Sequence, residues 1–298
     1  MTYPARLAEE KGWRLAGING GGPLVLSWNV LPRELLPLIP PPRYVSAMTP
    51  LADLVSHLDR DLRVAEIPDY PGAVNGLQLA NQGEIRRIVA AVDASLPVIE
   101  AAAAGGPGLL LVHHGMFWQG VQPVTGAFYR KLKVAMDAGL AVYSAHLPLD
   151  IHPEWGNNIL LAQSIGLIDP QPFFEWKGIH LGLRGGWRGS RAELADALEK
   201  AVGGRVHVCP GGPENVSSIG LVTGGAGSEV AKAAAAGVDT FISGEGPHWS
   251  HPLALELGVN LLLGGHYATE TFGVRALAAV LGTRFGVPWS FIDQPSGL

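Results

Sequence analysis

A single cysteine, Cys209, occurs in 298 residues, so the chain can build neither an internal disulfide nor a cysteine-based zinc cluster. That scarcity fits a reducing cytosol, and Cys209 reads as a small core residue. Charged residues make up only 16% against 47% hydrophobic ones, which excludes a largely disordered chain and implies a packed interior. The net charge of −5, with no cluster of Lys or Arg, lacks the basic footprint of a nucleic-acid binder, so no direct nucleic-acid partner is expected. No uninterrupted apolar run of about 18 residues exists, and Glu9, Glu10 and Lys11 fall where a signal peptide needs a basic start and an apolar stretch. A cytoplasmic protein without a membrane segment is expected. Missing motifs narrow the chemistry further: without HExxH there is no helix-borne zinc protease site, and without G-x-S-x-G there is no serine nucleophile elbow.

What is present begins with a composition shift. Residues 1–47 mix Gly20–Gly22 with the proline-rich Pro37–Pro42 and read as an N-terminal extension outside the folded pattern. Met48, a candidate start codon, precedes Thr49, the expected cap of a helix that places Leu51, Leu54, Val55, Leu58 and Leu62 on one face. From there short apolar runs alternate with Ala-rich stretches, the rhythm of an α/β protein with largely parallel sheet covered by helices on both faces. Predicted strands are 88–92, 109–112, 141–143, 180–183, 219–222, 240–242 and 260–263. Ser190 with Glu193 forms a capping box for one helix, and Gly203 follows its last turn.

The chain also repeats itself. IRRIVAAVDAS, LLLVHHGMFW and LAVYSAH in the first half echo SSIGLVTGGAGS, TFISGEGPHW and NLLLGGH in the second. The period of roughly 130 residues far exceeds that of solenoids and implies two similar three-layer α/β/α halves, 48–158 and 159–298.

Polar clusters follow four of the apolar runs: His113-His114, His146 to Asp150, Glu245, and His266 to Glu270. Ligands bind outside the carboxyl ends of parallel strands, so these distant residues can meet in one crevice. Neighbouring strand residues point to opposite faces, so His113 and His114 share a site only if the strand has ended, with Gly115 supplying the freedom. His266 and Glu270 lie one helical turn apart, whereas Pro148 makes the stretch from His146 to Asp150 a loop. Imidazoles with carboxylates suit Zn, Fe, Mn or Ni, and His113, His114, Asp150, His266 and Glu270 are too many ligands for one catalytic zinc. Two divalent ions per subunit, and metal-assisted hydrolysis, are the expectation. His146, at the equivalent point of the first half to His266, is a sixth candidate. Around these, Asp93 either orients an imidazole or caps the next helix, and Asn75 opens a turn. His248 and His251 are open between contact with the site and plain surface. Gly224 to Ser228 is either a tight turn or a weak anion loop, implying neither NAD nor ATP.

These motifs resemble those of the dinuclear-metal-centre hexameric proteins, the GTP cyclohydrolase I type 2 homologue family related to yeast Ngg-interacting factor three. The resemblance runs from Met48 to the C-terminus through NGLQ at Asn75–Gln78, AVDAS at Ala91–Ser95, HHGMFW from His113, AHLPLD ending at Asp150, GGAGS from Gly224 and GGHYATE ending at Glu270. It implies His113, His114, Asp150, His266 and Glu270 as ligands and ranks His146 behind Asp150; by their positions in the sequence, His146, Glu245, Asp93, Asn75 and His248 are candidates for the surrounding shell or for substrate contact. It implies two intertwined α/β halves, without the inserted domain of longer members, and a homohexamer with its metal sites facing an inner cavity. It also implies a small-molecule substrate, GTP, attacked at purine C8 by metal-bound water with release of formate. A regulatory metal-binding scaffold and a two-metal phosphoesterase are the alternatives.

Overall fold

The apolar runs become strands of two sheets. The structure, a computed structural model, describes residues 49–298; the predicted extension 1–47 and Met48 lie outside the described residues. The chain begins with β1 (Thr49–Pro50), α1 (Leu51–Asp61), β2 (Gly76–Leu79), β3 (Glu84–Ile85), β4 (Ile88–Asp93), α2 (Leu96–Ala103) and β5 (Gly108–His114). Next come α3 (Gly126–Asp137), β6 (Leu140–Ser144), the one-turn α4 (Leu147–Asp150), α5 (Asn157–Ser164), β7 (Ile168–Trp176), β8 (Ile179–Ser190) and α6 (Arg191–Val202). The remainder is β9 (His207–Pro210), β10 (Asn215–Leu221), a 3-10 turn (Gly227–Glu229), α7 (Val230–Ala235), β11 (Thr240–Ser243), α8 (Ser250–Leu257), β12 (Asn260–Leu263), α9 (His266–Thr269), α10 (Thr271–Phe285) and β13 (Trp289–Phe291).

Among the described residues, β1 and β3 form a small antiparallel pair, and of the two large sheets one has the order β13-β4-β5-β6-β2 and the other β7-β8-β10-β11-β12-β9. In each, three neighbouring strands run parallel, β4-β5-β6 and β10-β11-β12, and an antiparallel strand flanks the third. Alternate residues face opposite helical layers. Ala90, Leu109, Leu111 and Tyr143 pack beneath α1 and α10, while Val89, Leu110, Val112 and Val142 pack beneath α2 and α3. In the second sheet Phe241 and Leu261 meet α7 and α8, and Ile242 and Leu262 meet α5 and α6. Both sheets are therefore the middle layers of α/β/α sandwiches. Because β13 and α10 come from the end of the chain yet join the first sheet, the two layers interlock.

Several expectations change. The sheets are mixed rather than largely parallel, because β2 and β9 are antiparallel edge strands without a strong apolar run and β8 runs antiparallel to both β7 and β10. β7 carries Pro170 and Pro172, tolerated because an edge strand has an unpaired side. Thr49 does not cap α1. It lies in β1, its hydroxyl donates to the Phe285 carbonyl at 3.4 Å, and Pro50 occupies the N-cap without a side-chain bond. Pro148 does not keep 147–150 a loop, because it sits in the first turn of α4, where its missing N–H is not needed. The capping box of Ser190 and Glu193 forms, and Gly203 ends that helix.

Candidate metal centre

The carboxyl ends of β4, β5, β6, β11 and β12 converge on one crevice. Pairing of β5 with β6 stops at Val112 and Ser144, whereas pairing with β4 runs on to Asp93 and His114. The last two residues of β5 are thus held on one side only, and both imidazoles turn inward, ring centroids 4.8 Å apart. The strand has not ended there, contrary to expectation. Nor does Gly115 supply a left-handed turn; its backbone is not among those with positive φ, and what it provides is room. A Cβ there would collide with the Gln78 amide, whose oxygen accepts from the Met116 N–H at 2.7 Å and braces the loop behind the histidines.

Four imidazoles face the crevice, and each has its Nδ1 engaged on the far side. His113 Nδ1 lies 2.9 Å from the Ala145 carbonyl, His114 Nδ1 2.9 Å from Asp93, His146 Nδ1 2.9 Å from Asp69, and His266 Nδ1 2.9 Å from Glu245. A carbonyl only accepts, so His113 must donate through Nδ1, and in the neutral ring its Nε2 is left as a bare lone pair. Asp93 thus faces His114, while Ser95 caps the following helix.

Glu270 is the hub. Its Oε1 lies 3.1 Å from His266 Nε2 and 3.5 Å from His113 Nε2, and its Oε2 lies 3.3 Å from His114 Nε2. Asp150 Oδ2 is 3.5 Å from His113 Nε2, while its Oδ1 accepts from Asn157 at 2.8 Å. Burial alone would raise the pKa of Glu270, but the facing His113, His114 and His266 rings outweigh it and hold the carboxyl well below the usual range. Burial likewise opposes a proton on His266, yet Glu270 and Glu245 together lift its pKa to about 9. At His113 the carboxylates of Asp150 and Glu270 overcome complete burial in the same direction.

Among the described residues, two groups bring ligand atoms close enough for a cation: His113, His114 and His146, and His114, His266 and Glu270. His113 Nε2 and Glu270 Oε2 are buried with no hydrogen-bond partner, an arrangement that costs about 1–3 kcal/mol per group unless something else satisfies them. The nitrogen and carboxylate donors fit a divalent metal. All five residues singled out from the sequence meet here, and His146 joins them; Asp150 touches His113 but lies outside both tight groups. Asn75 donates to Asp69 at 2.7 Å and accepts the His146 N–H at 2.7 Å. His248 is exposed and outside both groups, and His251 instead shares a hydrogen bond with His207 at 3.0 Å.

Gly224 and its neighbours allow a close approach to the acidic residues of the crevice. Gly224 has φ +70, and a Cβ there would collide with Glu270 Oε1. Asp69, Asn157 and Asn158 were not among the residues singled out from the sequence. Asn158 donates to the Asp150 and Leu181 carbonyls and accepts the Thr223 N–H, fixing the turn that presents Asp150. The Asn157-Asn158 pair opening α5 was the available signal, whereas Asp69 sits in a loop with no periodic pattern.

Fold and crevice together define an α/β protein with a candidate metal centre at the strand ends. The chain belongs to the Duf34/NIF3 (NGG1p interacting factor 3) family, whose model matches residues 49–296. It is 43% identical to the GTP cyclohydrolase 1 type 2 homolog of Deinococcus radiodurans, over 83% of this chain and 94% of that one. With the protein of the same name from Pyrococcus abyssi it shares 38% identity over 83% and 98% of the two chains. Among solved structures, TTHA1606 from Thermus thermophilus is 38% identical with a TM-score of 0.77, covering 84% of this chain and all 100% of that one. Reduced HcgD from Methanocaldococcus jannaschii is 28% identical with a TM-score of 0.73, covering 83% and 99%.

Proposed function

We propose that the crevice holds two divalent ions and that the protein is a metal-dependent hydrolase of a nucleotide-like substrate, with ring opening of GTP at purine C8 as the candidate reaction. One observation carries this reading: four imidazoles, each braced through Nδ1, gather in one crevice, and three of them, His113, His114 and His266, face the buried Glu270 carboxylate, which has unsatisfied acceptor capacity. His114, His266 and Glu270 would hold one ion, and His113 with Asp150 and His146 the other. Glu270, whose two oxygens face different rings, would stand between them. Ions so held supply Lewis acidity. The side chains do the rest. Asp69, Asp93 and Glu245 fix ring tautomer and orientation, while Leu147, Leu181 and Val222 give the crevice an apolar lining. The naming of the relatives supports the substrate.

Zinc, iron, manganese and nickel all suit this donor set. Assembly as a cytoplasmic homohexamer belongs to the same proposal, and light scattering on the 31.4 kDa chain tests it. The function is tested by metal analysis with formate release from GTP. Wild type should carry near two ions per chain and His113→Ala fewer, and Glu270→Ala should release no formate. Full metal content in His113→Ala would sink the ligand assignment. Phosphate released in place of formate would favour a two-metal phosphoesterase, and neither product would favour a regulatory scaffold.

A further inference from the structure

The crevice leading to the imidazoles has a volume of about 710 Å³ and is walled by Tyr70, Trp118, Phe174 and Trp176. That size is typical of a small-molecule pocket. Tyr70 and Trp118 remain 48% and 37% exposed, so large aromatic surfaces are left against solvent at its mouth. They form a band rather than scattered rings. Tyr70 lies 5.1 Å from Trp176 and 6.2 Å from His146, and Trp118 sets its edge on His146 at 4.7 Å. Phe174 sits at φ +66, a backbone region costly for a bulky side chain, between Phe173 and Glu175, which pair normally with β8. Its ring lies 4.9 Å beneath Lys232 Nζ, which in turn pairs with Glu229 at 2.7 Å, and both of these residues line the same crevice.

A second crevice of about 680 Å³ opens on the other side of His114 and shares Asp93 and Trp118 with the first. Its lining adds Ser95, Gln119, Gln122 and Lys131 alongside the apolar Pro97, Met116 and Phe128.

We infer that the aromatic chamber is the ring subsite of the substrate: a planar heteroaromatic group lies against Tyr70, Phe174 and Trp176, with its polar edge toward the Lys232–Glu229 pair. This rests on the proposed reading of the crevice as a substrate site and adds the residues that select the ring. Stacking surfaces recognise any π face, and the neighbouring cation and carboxylate discriminate among ring edges. Strain at Phe174 is explained as the cost of turning its ring into the chamber rather than across the hairpin.

The test uses the zinc-loaded full chain, with binding followed by calorimetry and tryptophan fluorescence. The probes are GMP, AMP and flavin mononucleotide, with ribose 5-phosphate as the ringless control. At least one aromatic probe should bind saturably and quench fluorescence, and Tyr70→Ala and Trp176→Ala should each weaken it about tenfold or more at unchanged zinc content. Tyr70→Phe and Trp176→Phe should retain most of the affinity, which a merely structural loss would not predict. Ribose 5-phosphate should bind no better to wild type than to Trp176→Ala. Failure of all three aromatic probes to bind, or equal affinity in wild type and both alanine variants, overturns the ring subsite. Ring binding without product formation supports the subsite and overturns hydrolysis instead, so the two failures are separable.

Discussion

At the scale of single residues, the crevice is defined by what stands behind the imidazoles as much as by the imidazoles themselves. Asp69 accepts from Asn75 and the Leu147 N–H while facing His146, so it is locked before it orients anything. Replacing it by Asn should rotate or retautomerise His146 and lower metal affinity about 10- to 100-fold with little loss of fold. Competition with a chromophoric chelator reads this directly, and unchanged affinity would remove Asp69 from the site. Gly224 makes a second case. In Gly224→Ala the new methyl meets Glu270 Oε1, so both metal content and thermal stability should fall. Gly237→Ala, at φ +78 with nothing within 4 Å, incurs only the left-handed backbone cost of about 1–2 kcal/mol and should keep its metal. Equal metal content in the two variants would contradict the close-approach argument.

At the scale of elements, the helix α1 is pinned to α10 through a histidine with no role in the crevice. His57 packs edge-on against Phe285 at 5.5 Å, and its Nδ1 lies 3.0 Å from the Arg60 guanidinium. Burial lowers its pKa below the ordinary 6.5; Asp61 opposes this, while Arg284 and Arg60 add to it. The folded state therefore prefers the neutral ring, the unfolded chain binds the proton more readily, and stability falls as pH drops from 6.5 toward the folded pKa. Melting temperatures at pH 7.5 and 5.5 should differ less in His57→Leu than in wild type, and an equal difference would exclude this contribution. Elements also explain uneven legibility. β5 and β12 announce themselves as apolar runs because both faces are covered, whereas β7, with two prolines on an open edge, carries no such pattern.

At the scale of the whole molecule, the crevice joins parts of the chain from both sheets, since His113 and His114 end a strand of one and His266 follows a strand of the other. An ion held there would tie the two together and, with ligands assembled only by the fold, would favour the native state. Stripping metal with a chelator should lower the melting temperature by roughly 5–10 °C, from a stabilisation of about 2.7 kcal/mol at a hundredfold excess over Kd and about 2–4 °C per kcal/mol at this size. Secondary structure by circular dichroism should persist below the transition, because most of the apolar residues packed under the two sheets, Leu147, Leu181 and Val222 apart, lie away from the crevice. An unchanged melting temperature would mean that the ion binds the unfolded chain equally well or not at all. Among the described residues no helix is long and apolar enough to cross a membrane.

By itself the sequence determined the α/β alternation, the repeated strand–polar-cluster pattern and the five residues His113, His114, Asp150, His266 and Glu270, because burial on both faces and ligand chemistry each leave a local signature. It also marked the capping box at Ser190, whose partners lie within one helical turn. Only tertiary structure decided that Asp69, 77 positions before His146, braces that ring, that Asn158 secures the turn of Asp150, and that β13 completes the first sheet. Such contacts form across the fold between loops and edges, where no periodicity constrains the residues. The candidate ligand residues were therefore legible as chemistry, and the geometry that brings them together was not.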